Sequence, residues 1–70
     1  MAVKMEELIE FIQANPDSRE LKRALAVQMV MQNYKYSTIA NILKVSVSFI
    51  SKWKYIFVEQ GITGLKLRYQ

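Results

Sequence analysis

Apolar residues recur at helical spacing along most of this chain, and the interruptions divide it into four stretches. In the opening stretch Met5, Leu8, Ile9 and Ile12 fall at i, i+3, i+4 and i+7, with Phe11 beside them and Glu6, Glu7, Glu10 and Gln13 opposite. That pattern predicts an amphipathic helix over about 4–14. Pro16 disfavours the helical conformation in the residue before it, so the helix should stop near Asn15. Either Asp17 or Ser18 then caps a second helix over about 18–33, and Glu20 stands at the capping-box distance from Asp17. Asn33 and the following Tyr34-Lys35-Tyr36 end it. Ile39, Ala40 and Leu43 form a one-sided stripe for a third helix at about 36–43. After Lys44 and Val45, Ser46 is placed to cap a fourth, over about 47–60. On it Ile50, Trp53 and Phe57 sit at i, i+3 and i+7, widened by Phe49 and Ile56, with Ser48, Ser51, Lys52, Tyr55 and Glu59 opposite. Gly61 supplies the stop, as a left-handed residue beyond the helix end, and Gly64 breaks the remainder into a turn and a short basic tail.

The second helix is apolar over most of its circumference. Leu21, Ala24, Leu25, Val27 and Met31 face one way, while Ala26, Met29 and Val30 extend the surface. Either this is simply the apolar core helix of a small domain, or it is contacted on more than one side, with two candidates for its far side: the leader helix or a second copy of the chain. The expected fold is thus all-α, a small bundle of four helices, divided into a leader at 1–16, a body at 17–61 and a turn with a basic tail at 62–70.

Composition narrows the chemistry. Seventy residues hold one small core, and with no Cys and no His the chain lacks the usual zinc ligands, thiol or Ser/His nucleophile systems and disulfide staples. No unbroken apolar run exceeds four residues, so neither a membrane span nor a signal-peptide core is expected, and the location expected is cytoplasmic, on the nucleoid. A hydrophobic share of 51% with two Gly and one Pro is too rich in core formers for disorder and too poor in turn residues for an all-β fold. Charge is split along the chain. Residues 1–17 set Lys4 against Glu6, Glu7, Glu10 and Asp17, a balance of −3, whereas residues 18–70 carry nine basic and two acidic side chains, a balance of +7. A basic body points to a polyanion as partner; an acidic leader points to packing or assembly.

The segment from Tyr36 to Trp53 has the spacing of a helix-turn-helix. Two helices crossing steeply through a tight turn need a small residue at their approach, which Ala40 provides. Ile39, Leu43, Val45, Ile50 and Trp53 fill the wedge. Ser46 caps the second of the pair, whose first turn then presents N–H groups and the positive end of its dipole. Four places after Ala40 the usual residue is Gly, because the chain tends there to φ > 0; here it is Lys44, at a cost of about 1 kcal/mol.

The stretch ELKRALAVQMVMQNYKYSTIANILKVSVSFISKWKYIFVEQGITGLKLR resembles the N-terminal DNA-binding domain of bacterial insertion-sequence transposases of the mariner-like superfamily, over about residues 18–68. The ELKRALAV opening, the IANILKVSVSFISKW motif and the EQGITGLK ending, with its Gly61, Gly64 and Leu65, carry the resemblance. It implies recognition of the terminal inverted repeats of a mobile element. In that family a second helical domain and a metal-dependent catalytic domain with three acidic residues follow. Here the carboxylates are spread over the leader, the cap and Glu59, with no convergent cluster for two-metal phosphoryl transfer. DNA binding without catalysis is therefore expected, with no cofactor, metal or small-molecule ligand.

On that reading Val47, Ser48, Ser51, Lys52 and Tyr55 meet the major groove. Ser hydroxyls bond base edges or phosphate, Lys52 reaches guanine O6 and N7, and Val47 meets a thymine methyl. The strongest bidentate base readers, Arg, Asn and Gln, are absent from this face, so sequence discrimination should be weak to moderate. Arg19, Lys22, Arg23, Lys35, Lys44, Ser46 and Lys54 are the expected phosphate set, with Lys44 equally readable as a tolerated surface residue. Lys66 and Arg68 either enter an adjacent minor groove or make no contact. Tyr34, Tyr36 and Tyr55 can offer hydroxyls to phosphate, although Tyr36 can equally pack over the motif's edge; Trp53, Phe49 and Phe57 read as core. Two further readings stand beside this one. A small dimeric transcriptional regulator, with the homodimer formed through the leader helix, shares the same chemistry. A protein-interaction module would use the leader and a Met29/Val30/Met31 surface.

Overall fold

The computed structural model describes residues 2–66, and the side chains of residues 5–66. Four α-helices follow one another: α1 (Ala2–Gln13), α2 (Ser18–Met31), α3 (Tyr36–Leu43) and α4 (Val47–Gln60). A 3-10 helix over Gly61–Leu65 continues directly from α4. The third and fourth helices have the bounds their apolar stripes predict.

Three helices stop at a residue in a left-handed conformation: Asn15 (φ 61°), Asn33 (φ 72°) and Lys44 (φ 61°). Asn tolerates that region through its short polar side chain, whereas Lys takes it at a cost of roughly 1 kcal/mol. After α2 the Asn33 N–H donates to the Val30 carbonyl at 2.9 Å and the Tyr34 N–H to Met29 at 3.0 Å. This is the paired bonding of a Schellman motif, and it ends α2 at Met31, two residues short of the expected bound. Asp17 is the cap of α2, its carboxylate accepting from the Arg19 N–H at 2.8 Å.

Helix α2 is the centre of the molecule. Ala24 and Val27 are buried with Leu8 of α1, Phe57 of α4 and Leu65 of the 3-10 helix. Ala26 is buried in a second cluster with Ile39 of α3 and Ile50 of α4. Of the two candidates for the far side of α2, it is therefore the leader helix of the same chain that packs there. Burial of each large side chain of these clusters contributes about 1.5–3 kcal/mol relative to exposure. With two small cores flanking one helix, each element supports the others.

Three expectations need correction. The Met29/Val30/Met31 surface is not free: Met29 and Val30 pack against the Ala26–Ile39–Ile50 cluster and Met31 against the other. The remaining exposed edges of Val30 and Met31 line a groove of about 380 Å³ with Lys54 and Val58. The segment after Gly61 is not a plain turn into a tail, because Leu65 is fully buried in the core that also holds Leu8. Finally, Gly61 takes φ 71°, ψ −155° rather than the left-handed helical region. That conformation belongs essentially to Gly, which is why the chain can leave α4 and tighten at once into the 3-10 helix.

Candidate functional site

Ser46 starts α4. Its backbone is extended (φ −81°, ψ 159°), and its Oγ accepts from the Phe49 N–H at 3.0 Å. The cap satisfies one donor of the first turn and turns the chain sharply out of the Lys44 corner, where the Val45 N–H reaches back to the Ala40 carbonyl at 3.1 Å. Ala40, Leu43, Val45 and Phe49 pack round the buried Ile39 and Ile50, so the α3–turn–α4 wedge is filled as its spacing predicts except for Trp53, which packs against the cluster of Leu8, Val27, Phe57 and Leu65.

With Ile50 and Phe57 buried, the other side of α4 is forced outward. Val47, Ser48, Ser51, Lys52 and Tyr55 are all exposed and fall within one helical face. Val47 is 49% exposed and Tyr55 65%, large apolar area that nothing among the described residues covers. The face is a strip of two hydroxyls, a phenol, one ammonium and a branched apolar side chain.

The basic residues divide. Lys22, Lys35, Lys44 and Lys66 are exposed. Arg19 is exposed but lies 3.5 Å from the Asp17 carboxylate, which offsets its charge. The backbone N–H of Arg19, helped by its charge, holds the Asp17 carboxyl below its ordinary pKa. Ser46 is exposed with its oxygen engaged in the cap. Lys54 is half-buried and lines the α2–α4 groove, at the border of the reading face, three residues on from Ser51. Arg68 lies outside the described residues.

Arg23 departs most from expectation. Its Nη1 donates to the Leu65 carbonyl at 3.1 Å, and its guanidinium carbon stands 4.1 Å from the centroid of the Trp53 ring. A guanidinium engaged by a carbonyl and an aromatic face is turned inward rather than toward a phosphate. Tyr36 packs against the Ile39–Ile50 cluster, whereas Tyr34 is 46% exposed. Ser37, Thr38 and Asn41 of α3 are also exposed and were not singled out by the spacing. The signal available for them was the start of α3, whose N-cap Lys35 makes no side-chain capping bond.

Among the described residues no group of three His, Cys, Asp or Glu could hold a metal ion, and no helix is long and apolar enough to cross a membrane. No curated protein and no solved structure matches the chain. A family model described as a homeodomain-like domain matches residues 17–66, from the cap of α2 to the residue after the 3-10 helix. The match takes in all of α2, α3, α4 and the turn between the last two, and with that geometry in place the chain belongs to the homeodomain-like domain family, a helix-turn-helix family of DNA-binding proteins.

Proposed function

We propose that the chain binds double-stranded DNA with α4 in the major groove, and that it serves a mobile element by recognising its terminal inverted repeats. Val47, Ser48, Ser51, Lys52 and Tyr55 face base edges. Lys22, Lys35, Lys44 and Lys66, with Arg19 where it turns from Asp17, meet phosphates. The exposed N-terminal turn of α3, with Ser37 and Thr38, adds neutral donors toward the backbone. The observation that carries this reading is the wholly exposed face of α4 opposite a buried Ile50 and Phe57, within a body of net charge +7 over residues 18–70. A helix presented in this way at the end of a tight turn is the part of a helix-turn-helix that enters a groove.

Titrating duplex DNA at several salt concentrations tests it. Four to six phosphate contacts give a log–log slope of about −4 to −5. A flat response, or no binding at low salt, would sink the idea. Selecting bound duplexes from a random pool then separates biological roles. A long asymmetric site supports a transposon end, and a palindrome supports a dimeric regulator. For the latter, α1 has already committed Met5, Leu8, Phe11 and Ile12 to its own core, leaving Ile9 as its exposed large apolar residue among the described side chains.

A further inference from the structure

We infer that Arg23 and Trp53 are positioning residues for the reading face: Arg23, anchored on the Leu65 carbonyl, holds the Trp53 ring, and the ring holds the Lys52 ammonium. The inference rests on the DNA-binding reading above and names what aims the single charged side chain of the proposed base-reading set.

Five contacts carry it. The Arg23 guanidinium donates to Leu65 O at 3.1 Å, across 42 residues of sequence, and covers the Trp53 ring at 4.1 Å. The edge of the Phe49–Trp53 pair, with centroids 6.2 Å apart and planes at 61°, braces the ring from within α4. Trp53 also packs against the Leu8–Val27–Phe57–Leu65 cluster. The Lys52 ammonium stands 5.0 Å from the same centroid. Both cations are drawn to the negative face of the indole, but they are not held alike. Arg23 has a second partner in a buried residue's carbonyl and is fixed. Lys52 is exposed and has the ring, so it is the one that can exchange its partner for a guanine edge. A lysine on a long flexible stem discriminates poorly unless something limits its directions. The ring does this, and its own orientation is set by Phe49 of α4 together with α2 and the 3-10 helix, two elements outside the helix-turn-helix.

The full chain tests this in two arms. Without DNA, NMR should find the Lys52 ε-methylene protons shifted upfield by the Trp53 ring current. In Arg23→Gln that shift should fall toward the value of Lys22. With DNA, the duplex best recovered from a random pool is compared with a scrambled duplex of the same base composition. Arg23→Gln should lower the preference about two- to fivefold, the size of one exposed cation–π contact, while the affinity for the scrambled duplex and the salt slope stay as in the wild type. If Arg23→Gln fails to fold by circular dichroism, Arg23→Lys, which keeps the charge and loses the fork, carries the same comparison. A Lys52 shift that survives either variant overturns the inference. So does an equal loss on both duplexes with a slope shallower by about 0.9, since that marks Arg23 as a phosphate contact. Failure of the wild type to bind either duplex at low salt refutes the DNA-binding reading instead, and the NMR arm alone then decides whether Arg23 aims Lys52 through the ring.

Discussion

Gly64 lies against Ile56 so closely that a Cβ on Gly64 would stand 2.5 Å from the Ile56 Cγ2 and 3.0 Å from the Gln60 Cβ. The 3-10 helix folds back on the last turns of α4 at a separation only a hydrogen permits, and this delivers Leu65 to the core. Gly64→Ala should therefore destabilise the fold by about 1–3 kcal/mol, as overpacking does. On a domain of this size each kcal/mol lowers the melting temperature by about 4–8 °C, readable by circular dichroism. An unchanged melting temperature would show that the 3-10 helix does not sit where described.

Leu8 shares its core with Ala24, Val27, Phe57 and Leu65, so the leader is a structural part of the unit it precedes. Leu8→Ala should cost about 2–5 kcal/mol, in one cooperative transition. A separate, early transition confined to α1 would instead make the leader an appendage.

Lys44 holds φ 61°, ψ 46° at the corner of the motif. Lys44→Gly removes the Cβ clash there at the expense of a freer unfolded chain. A net gain of about 0.5 kcal/mol is expected in chemical denaturation. The same variant should bind DNA more weakly and with a shallower salt slope if Lys44 meets a phosphate. A gain in stability with unchanged binding would leave Lys44 as a surface residue of the turn.

Asp17 contributes pH dependence. The Arg19 N–H, then the Arg19 charge, favour its ionised form, so its pKa is lower folded than unfolded. Its contribution is present above the unfolded value and is lost as the pH falls through the lowered one. Asp17→Asn keeps a capping oxygen but does not titrate. Stability of this variant measured against pH should fall less steeply in the acid range than that of the wild type. Parallel curves would mean that the Asp17 cap does not persist in solution.

Lys22 and Ser51 separate the two kinds of DNA contact. Lys22→Gln should weaken binding to all duplexes alike and reduce the salt slope by about 0.9, whereas Ser51→Ala should leave the slope and reduce preference for the selected site. Equal behaviour of the two variants would remove the distinction between reading face and phosphate set.

The helix-turn-helix was legible because its signals are local. The period of Ile39, Leu43, Ile50 and Trp53, the small Ala40 and the Ser46 hydroxyl three residues ahead of the Phe49 N–H act within a few residues, where backbone geometry settles their relation. The exposed strip from Val47 to Tyr55 follows from the same period once its opposite side is core. Arg23 was not legible. On α2 it looks like Lys22 beside it, a charge near the start of a helix, and nothing within several residues says that a carbonyl and an indole lie in reach.

By itself, the amino-acid sequence determined four helices, the bounds of α3 and α4, the Ser46 cap, the face of α4 turned outward, and the basic character of the body, because periodicity, capping and charge are properties of neighbouring residues. The tertiary structure decided which of two candidates covers the far side of α2, that the stretch after Gly61 belongs to the core through Leu65, and that Arg23 points inward to Trp53. Those outcomes depend on residues far apart in the chain, from 16 positions for Leu8 and Ala24 to 42 for Arg23 and Leu65, and such contacts form only when the helices pack together.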